Sequence, residues 1–256
     1  MNIKKDFRIL PVLIITGILV AACGPKVVPD QPASPPAELP AEQPIENPFN
    51  PITLGDCYNP FSPVLEGKVW KYATVSGGVT STMDVSYKDV TPSSFTSVQQ
   101  FPDIRTEVQW TCGPDGMLSS QLANMNFIQI PDLKVETLEV KGVLIPTEEK
   151  WQVGYSWNTE YVIKVSFTSG ESVFEGQGNM SIANTISAVE SVTVPAGTYG
   201  DAFKVDVVGN MVMSIMGTEN TIPITNSTWY VKDVGMVKNA STDATIAYSM
   251  ELSSFE

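Results

Sequence analysis

Residues 174–194 read FEGQGNMSIANTISAVESVTV, and their hydropathy alternates with a period of two. Phe174, Gly176, Gly178, Met180, Ile182, Ile186, Ala188, Val192 and Val194 fall on one side, with Glu175, Gln177, Asn179, Ser181, Thr185, Ser187, Ser191 and Thr193 between them. Successive side chains point to opposite faces only in an extended chain, so the segment predicts a β-strand of about twenty residues with one buried face. A strand of that length does not stay flat, and Gly176 and Gly178 are expected to supply its bend or bulge.

The same period extends outward. After the turn at 195–200, Phe203, Val205, Val207, Gly209, Met211, Met213 and Ile215 share a face, opposite Lys204, Asp206 and Asn210. Trp157, Tyr161, Ile163, Val165 and Phe167 make another stripe, and Ile246, Tyr248, Met250 and Leu252 close the chain. Nearer the amino terminus, Met83, Val85 and Tyr87, then Ile104, Val108, Trp110 and Cys112, repeat the pattern. Residues 79–90, 93–101, 103–112 and 116–122 are separated by short Gly, Pro or Asp turns, which predicts a meander of hairpins. No segment after residue 54 shows a helical period with caps, although 119–130 has room for a short helix. The fold class is therefore all-β: about ten or eleven antiparallel strands in a strongly curved sheet, open or closed into a barrel, with a two-layer sandwich as the alternative.

Composition narrows the chemistry. The 256 residues include no histidine, which excludes Ser-His-Asp and Cys-His nucleophiles, a histidine base and histidine metal ligands. The formal charge of −13, with no basic cluster beyond the first eight residues, excludes a phosphate-backbone partner, so no nucleic acid is expected.

The amino terminus has its own logic. Lys4, Lys5 and Arg8 precede a twelve-residue apolar run at 9–20, which is too short to span a bilayer and suits a signal peptide. It ends in Val20-Ala21-Ala22-Cys23. A branched residue, two small residues and a cysteine resemble the lipobox of bacterial lipoproteins. That resemblance implies cleavage before Cys23, diacylation of its thiol and a chain held at a membrane on the extracytoplasmic side of the cell envelope. One acyl chain holds weakly, at about 0.8 kcal/mol per buried methylene, and two or three hold firmly. Removing residues 1–22 takes away three basic and one acidic side chain, so the net charge moves from −13 to −15.

Residues 24–51 contain nine prolines in 28 positions, a composition that builds no core and favours an extended spacer reaching up to about 90 Å. The expected organisation is a signal peptide at 1–22, a lipidated Cys23 with a tether through 53, and one β domain at 54–256. With Cys23 assigned to lipid, Cys57 and Cys112 remain as a pair, either a disulfide persisting in an oxidising compartment or two buried thiols.

Three segments carry a second resemblance: Gly67-x-x-Trp70-x-Tyr72, the turn running from Val192 to Tyr199, and the closing run from Trp229 to Lys238. They look like a family of exported bacterial β proteins of unassigned function, related in shape to the periplasmic lipoprotein carriers and lipid-binding lipoproteins. The resemblance implies a curved antiparallel sheet around an apolar hollow, without the helical lid of the carriers.

Candidate chemistry is sparse. Asp89 and Glu190 fall in the inward register near strand ends, as a pair of glycosidase carboxylates would, although strand ends also simply hydrate. Met211, Met213 and Met216 suggest a thioether copper site, but Met216 points to the other face and methionine commonly fills gaps in cores. Asp115-Gly116 is only a turn, so no metal or other cofactor is expected. Asn184 stands in the apolar register and needs a buried partner, either a ligand or a bent backbone. Trp157, Tyr161, Phe174, Met180, Asn184, Phe203 and Met211 are the side chains expected to line a ligand cavity. The expected function is a membrane-anchored, non-enzymatic protein binding an apolar or amphipathic ligand; the alternative is a solid structural or protein-interaction module.

Overall fold

The long alternating segment forms a single strand of 23 residues, Ser172–Val194. In chain order the strands are β1 (Val69–Ser76), β2 (Val79–Lys88), β3 (Ser94–Gln100), β4 (Arg105–Gly113), β5 (Gly116–Ser119), β6 (Leu133–Gly142), β7 (Ile145–Pro146), β8 (Ser156–Ser169), β9 (Ser172–Val194), β10 (Gly197–Ile215), β11 (Thr218–Val231), β12 (Gly235–Ser241) and β13 (Tyr248–Phe255). The computed structural model describes residues 54–120, 133–169, 172–215, 217–241 and 247–256. All of them belong to one unit, Glu46–Glu256. The expectations for the signal peptide, Cys23, the tether, Met216, Ile246 and most of 119–130 lie outside the described residues; Ser119 itself ends β5.

Among the described residues, all thirteen strands join one antiparallel sheet in the order β6-β8-β9-β10-β11-β12-β13-β1-β2-β3-β4-β5-β7. Its end strands, β6 and β7, do not pair with each other, so the sheet is curved and open, neither a closed barrel nor a pair of sheets. Thirteen strands replace the expected ten or eleven for local reasons. A register shift between Thr137 and Glu139 flips the alternation within β6, and β7 has only two residues. Ile104 is exposed because it lies in the turn before β4, where its carbonyl accepts the Phe101 N–H at 2.8 Å.

No bulge falls at the glycines. Pairing runs without a shift through Gly176 and Gly178 on both sides of β9. The shifts lie between Tyr199 and Ala202 and between Lys204 and Val205 on β10, and beside them between Trp229 and Tyr230 on β11, whose Tyr230 pairs with Phe203. Bulges aligned across neighbouring strands add local twist along one line and fold the sheet there. Gly178 is small for another reason: a Cβ on it would meet the Val212 carbonyl oxygen at 2.7 Å and Ile163 Cγ1 at 3.1 Å. Beyond the bend, the β9–β10 turn comes round to β13, where the Ala196 N–H donates to the Leu252 carbonyl at 2.9 Å.

Among the described residues no helical layer covers the concave face, which is covered from within. Leu54 leads into a 3₁₀ turn (Gly55–Cys57), and the chain up to β1 crosses the concave side as a strap. Cys57 is bonded to Cys112 of β4, so the pair is a disulfide. The Asn59 Nδ2–H donates to the Pro146 carbonyl at 2.7 Å, and Pro60 O accepts the Asp233 N–H at 2.7 Å. Phe61 stacks on Trp151 at 4.2 Å and meets the edge of Phe203 at 5.0 Å. Glu66 then accepts the Val90 N–H at 3.0 Å. The strap thus ties β4, β7, the β11–β12 turn and the end of β2 together.

Three apolar clusters result. The first joins Cys57, Phe61 and Val64 of the strap to Phe95, Val108 and Trp110, and across the interior to Ile186 and Val205. The second packs Trp70, Tyr72 and Met83 against Val192, Val194, Val237 and Leu252. The third lies along the far parts of β8–β11, with Tyr161, Ile163, Met180, Met211 and Met213. Met211 and Met213 are therefore core side chains here, as gap-filling methionines are.

Candidate functional site

The site is built by the inward faces of β1–β4. Cross-strand pairing sets Trp70 opposite Val85 and Val85 opposite Gln99, while Tyr72 opposes Met83, Tyr87 opposes Ser97 and Phe95 opposes Trp110. Directly opposed side chains share a face, so these rings and two polar residues form one continuous wall. Tyr230, Gly235 and Met236 of β11 and β12 face it, with Ser62 and Pro63 of the strap and Ile145 of β7 completing the enclosure. Between them lies a cavity of about 80 Å³. Gly235 has φ of 93°, a conformation natural only to glycine, and Pro63 Cδ stands 3.0 Å from where its Cβ would be.

The aromatic wall is ordered by ring contacts. Phe95 stacks on Trp110 with centroids 5.4 Å apart, and Tyr87 meets Phe95 at 5.4 Å and Trp70 at 5.2 Å, both edge to face. Its N–H groups are already engaged: Trp70 Nε1 donates to the Val234 carbonyl at 2.7 Å, and Trp110 Nε1 donates to Ser97 Oγ at 3.0 Å. The Tyr72 hydroxyl donates to the Met236 carbonyl at 2.9 Å. Among the described residues the Tyr87 and Tyr230 hydroxyls have no hydrogen-bond partner.

Among the described residues, no Asp, Glu, Lys or Arg lines the cavity. Burial raises the Tyr87 phenol to about 12. Burial, followed by the neighbouring phenols, also pushes Tyr72 and Tyr230 well up. All three are neutral donors throughout the physiological range.

The seven residues expected to line a cavity lie elsewhere. Tyr161, Met180 and Met211 sit in the third cluster, and Trp157 and Phe203 pack against the first. Phe174 is half-buried on β9 opposite Phe167. Asn184 is 7% exposed and directly opposite Trp157. These seven do not line the 80 Å³ cavity. They do contain three orphaned groups: Trp157 Nε1, Asn184 Nδ2 and the Tyr161 hydroxyl are buried without a hydrogen-bond partner, as is Asn226 Oδ1. Trp157, Asn184 and Asn226 lie in one row across the sheet, with Val207 between the two asparagines.

The two carboxylates are each exposed and separately engaged. Asp89 lies exposed in the turn after β2 with φ of 54°, beside Lys88, and exposed Glu190 accepts the Trp229 Nε1–H at 2.7 Å. Among the described residues, no three Cys, Asp or Glu side chains gather as metal ligands do.

Of the lining residues, Met83, Val85, Tyr87 and Trp110 stood in the alternating stripes and Trp70 and Tyr72 in the Gly67-x-x-Trp70-x-Tyr72 motif, whereas Ser97 and Gln99 were missed. The available signal was polarity in an inward register: Phe95, Ser97 and Gln99 are successive same-face positions of β3, and all are buried.

Residues 103–245 match the sequence model of the DUF3108-like family. The chain belongs to the DUF3108-like family. The match spans β4 to β12 but not the strap or β1–β3, so part of this chain's cavity lies outside the family segment. Two solved structures resemble this DUF3108-like chain. A Bacteroides fragilis protein described as exported, with a YmcC-like fold, aligns with a TM-score of 0.54 and 14% identity over 78% of this chain and all of its own. A Parabacteroides distasonis protein described as a lipoprotein aligns with a TM-score of 0.51 and 19% identity over 77% of this chain and 99% of its own. At these identities the likeness is one of fold. Among curated proteins none matches.

Proposed function

We propose that this protein is a lipid-anchored, extracytoplasmic member of the DUF3108-like family whose β domain binds one end of an amphipathic ligand without chemically changing it. The observation that carries the reading is the cavity: an aromatic wall, uncharged throughout, with two unpartnered hydroxyls under a strap. Ligand sites combine apolar walls with a few placed polar groups in this way. The lipobox-like Val20-Ala21-Ala22-Cys23 supports the anchor, and the fold likeness to one protein described as exported and another described as a lipoprotein agrees with it.

Size limits the role. A cavity of 150 Å³ is known to hold benzene, and this one has about 80 Å³, so it admits the end of a ligand and does not engulf an acyl chain. The reading is therefore narrower than a lipid carrier. Its lack of catalysis rests on the chain's lack of histidine and on the exposed, separately engaged Asp89 and Glu190.

Two measurements test it. Native mass spectrometry of the full chain recovered from the host envelope should show a bound adduct, and a bare mass alone would refute ligand binding. Cys23→Ser should move the protein from the membrane to the soluble fraction; continued membrane attachment would refute the anchor.

A second reading, a protein-interaction module, is favoured by β6. It is ten residues long, ends the sheet, and exposes Val135 and Leu138. Such an edge offers backbone donors and acceptors to an added strand.

A further inference from the structure

We infer that the cavity selects the uncharged, hydroxyl-bearing end of its ligand, taking in a glyceryl end or the hydroxyl-bearing edge of a glycosyl ring. The inference rests on the proposed binding role and specifies its chemistry.

The argument is an accounting of hydrogen bonds. Both indole N–H groups of the wall are engaged, as is the Tyr72 hydroxyl. What remains open is hydroxyl: Tyr87, Tyr230, and the proton of Ser97 Oγ, which already accepts from Trp110. A hydroxyl both donates and accepts, and the partner that satisfies several at once is another set of hydroxyls. An alkyl end would leave the two tyrosine hydroxyls dry, and a buried polar group without a partner is unfavourable. A carboxylate, phosphate or ammonium would lose its water where no lining side chain carries a compensating charge.

The walls fit the same class. Rings of Trp70, Tyr87, Phe95 and Trp110 present apolar faces, and the carbon skeleton of a polyol packs on such faces while its hydroxyls turn to Tyr87 and Tyr230. The phenols stay protonated through neutral pH, because burial raises them. With about 80 Å³ available, a few heavy atoms enter and the remainder of the amphiphile stays outside.

The test uses the full chain in lipid nanodiscs, with blanks from empty nanodiscs, and four probes of equal chain length below their micelle concentrations. Octyl glucoside supplies a glycosyl end and 1-octanoylglycerol a glyceryl end; octyl phosphate is charged and octyl methyl ether has no hydroxyl. Quenching of tryptophan fluorescence reports binding, since Trp70 and Trp110 form the wall. At least one hydroxylated probe should bind tenfold or more tightly than the phosphate and the ether, and the preferred arm names the source of the polyol. Tyr87→Phe/Tyr230→Phe should weaken that probe about tenfold, as losing two net hydrogen bonds near the low end of their usual range would, and leave the ether unchanged. The single variants, each checked for native circular dichroism, should fall between. Ether or phosphate binding as tight as the hydroxylated probes would overturn the hydroxyl selection while the ligand-binding reading stands. Binding of none of the four would overturn both.

Discussion

Removing the Cys57–Cys112 bridge tests whether the strap is what closes the interior. The cysteines are separated by 55 residues, and in the chain-entropy model a loop of that length restricts the unfolded chain by about 14 cal/mol/K, or about 4 kcal/mol at 25 °C. Both residues are buried, at 0% and 9% exposure, so Cys57→Ala/Cys112→Ala also forfeits sulfur packing, and about 4 kcal/mol is the lower expectation. For a domain of this size 1 kcal/mol corresponds to about 2–4 °C, so the melting temperature should fall by roughly 10–15 °C. Urea unfolding of the full chain, followed by tryptophan fluorescence, measures the free energy. The slope with urea should rise, because the uncrosslinked chain exposes more surface when unfolded. Hydrogen exchange adds the local readout: the Phe61 and Asp233 amides bond to Asn59 Oδ1 and the Pro60 carbonyl, and both should lose protection in the variant. A loss below about 1 kcal/mol with those amides still protected would refute the reasoning, and would show that the noncovalent contacts of Asn59 and Phe61 hold the strap.

Other consequences are open to simple measurement. Gly178→Ala should cost about 1–3 kcal/mol by chemical denaturation, since the added Cβ meets backbone at 2.7 Å; a neutral result would mean that β10 yields there. Asn184→Leu replaces a buried amide whose Nδ2 has no partner, and should stabilise the protein by about 1 kcal/mol, seen as a rise in melting temperature; a large loss would reveal a partner for that amide. Ultraviolet titration should separate the buried phenols. A phenol raised in the folded state favours folding below its unfolded value of 10.0, and that contribution disappears as pH climbs through the folded value, about 12 for Tyr87. The native protein should therefore ionise Tyr87, and with it Tyr72 and Tyr230, later than the denatured chain, with alkaline unfolding following. Coincident native and denatured titration curves would contradict the burial of these phenols.

Local pattern carried much of the fold. The boundaries expected at 79–90, 93–101 and 103–112 lie within two residues of β2, β3 and β4, because alternation is a property of each strand by itself. Asn184 shows both the reach and the limit of this reasoning. Its inward polarity was legible, and its amide nitrogen is indeed buried without a hydrogen-bond partner, yet nothing in the alternation says what faces it across the interior. Gly178 was ambiguous for a related reason. A glycine in a strand marks either a bend or a close approach, and only the carbonyl of Val212, thirty-four residues away, decides between them. The wall of the cavity was half legible: Tyr87 stood in a stripe and Trp70 and Tyr72 in a short motif, while Ser97 and Gln99 passed as ordinary strand polarity.

Local sequence was enough for an antiparallel β protein with one buried face, a pair of cysteines, a chain without histidine, and a lipoprotein-like amino terminus. Each of these is local: a period, a count or a short motif. Long-range packing was needed to show that the sheet stays open, that its bulges lie away from Gly176 and Gly178, and that a strap pinned by Cys57–Cys112 fills the concave side. It also placed a cavity among β1–β4, whose lining does not include Trp157 or Tyr161. A cavity is a shortfall of volume between side chains far apart in sequence. It therefore exists only once strands, turns and strap have taken their places around it.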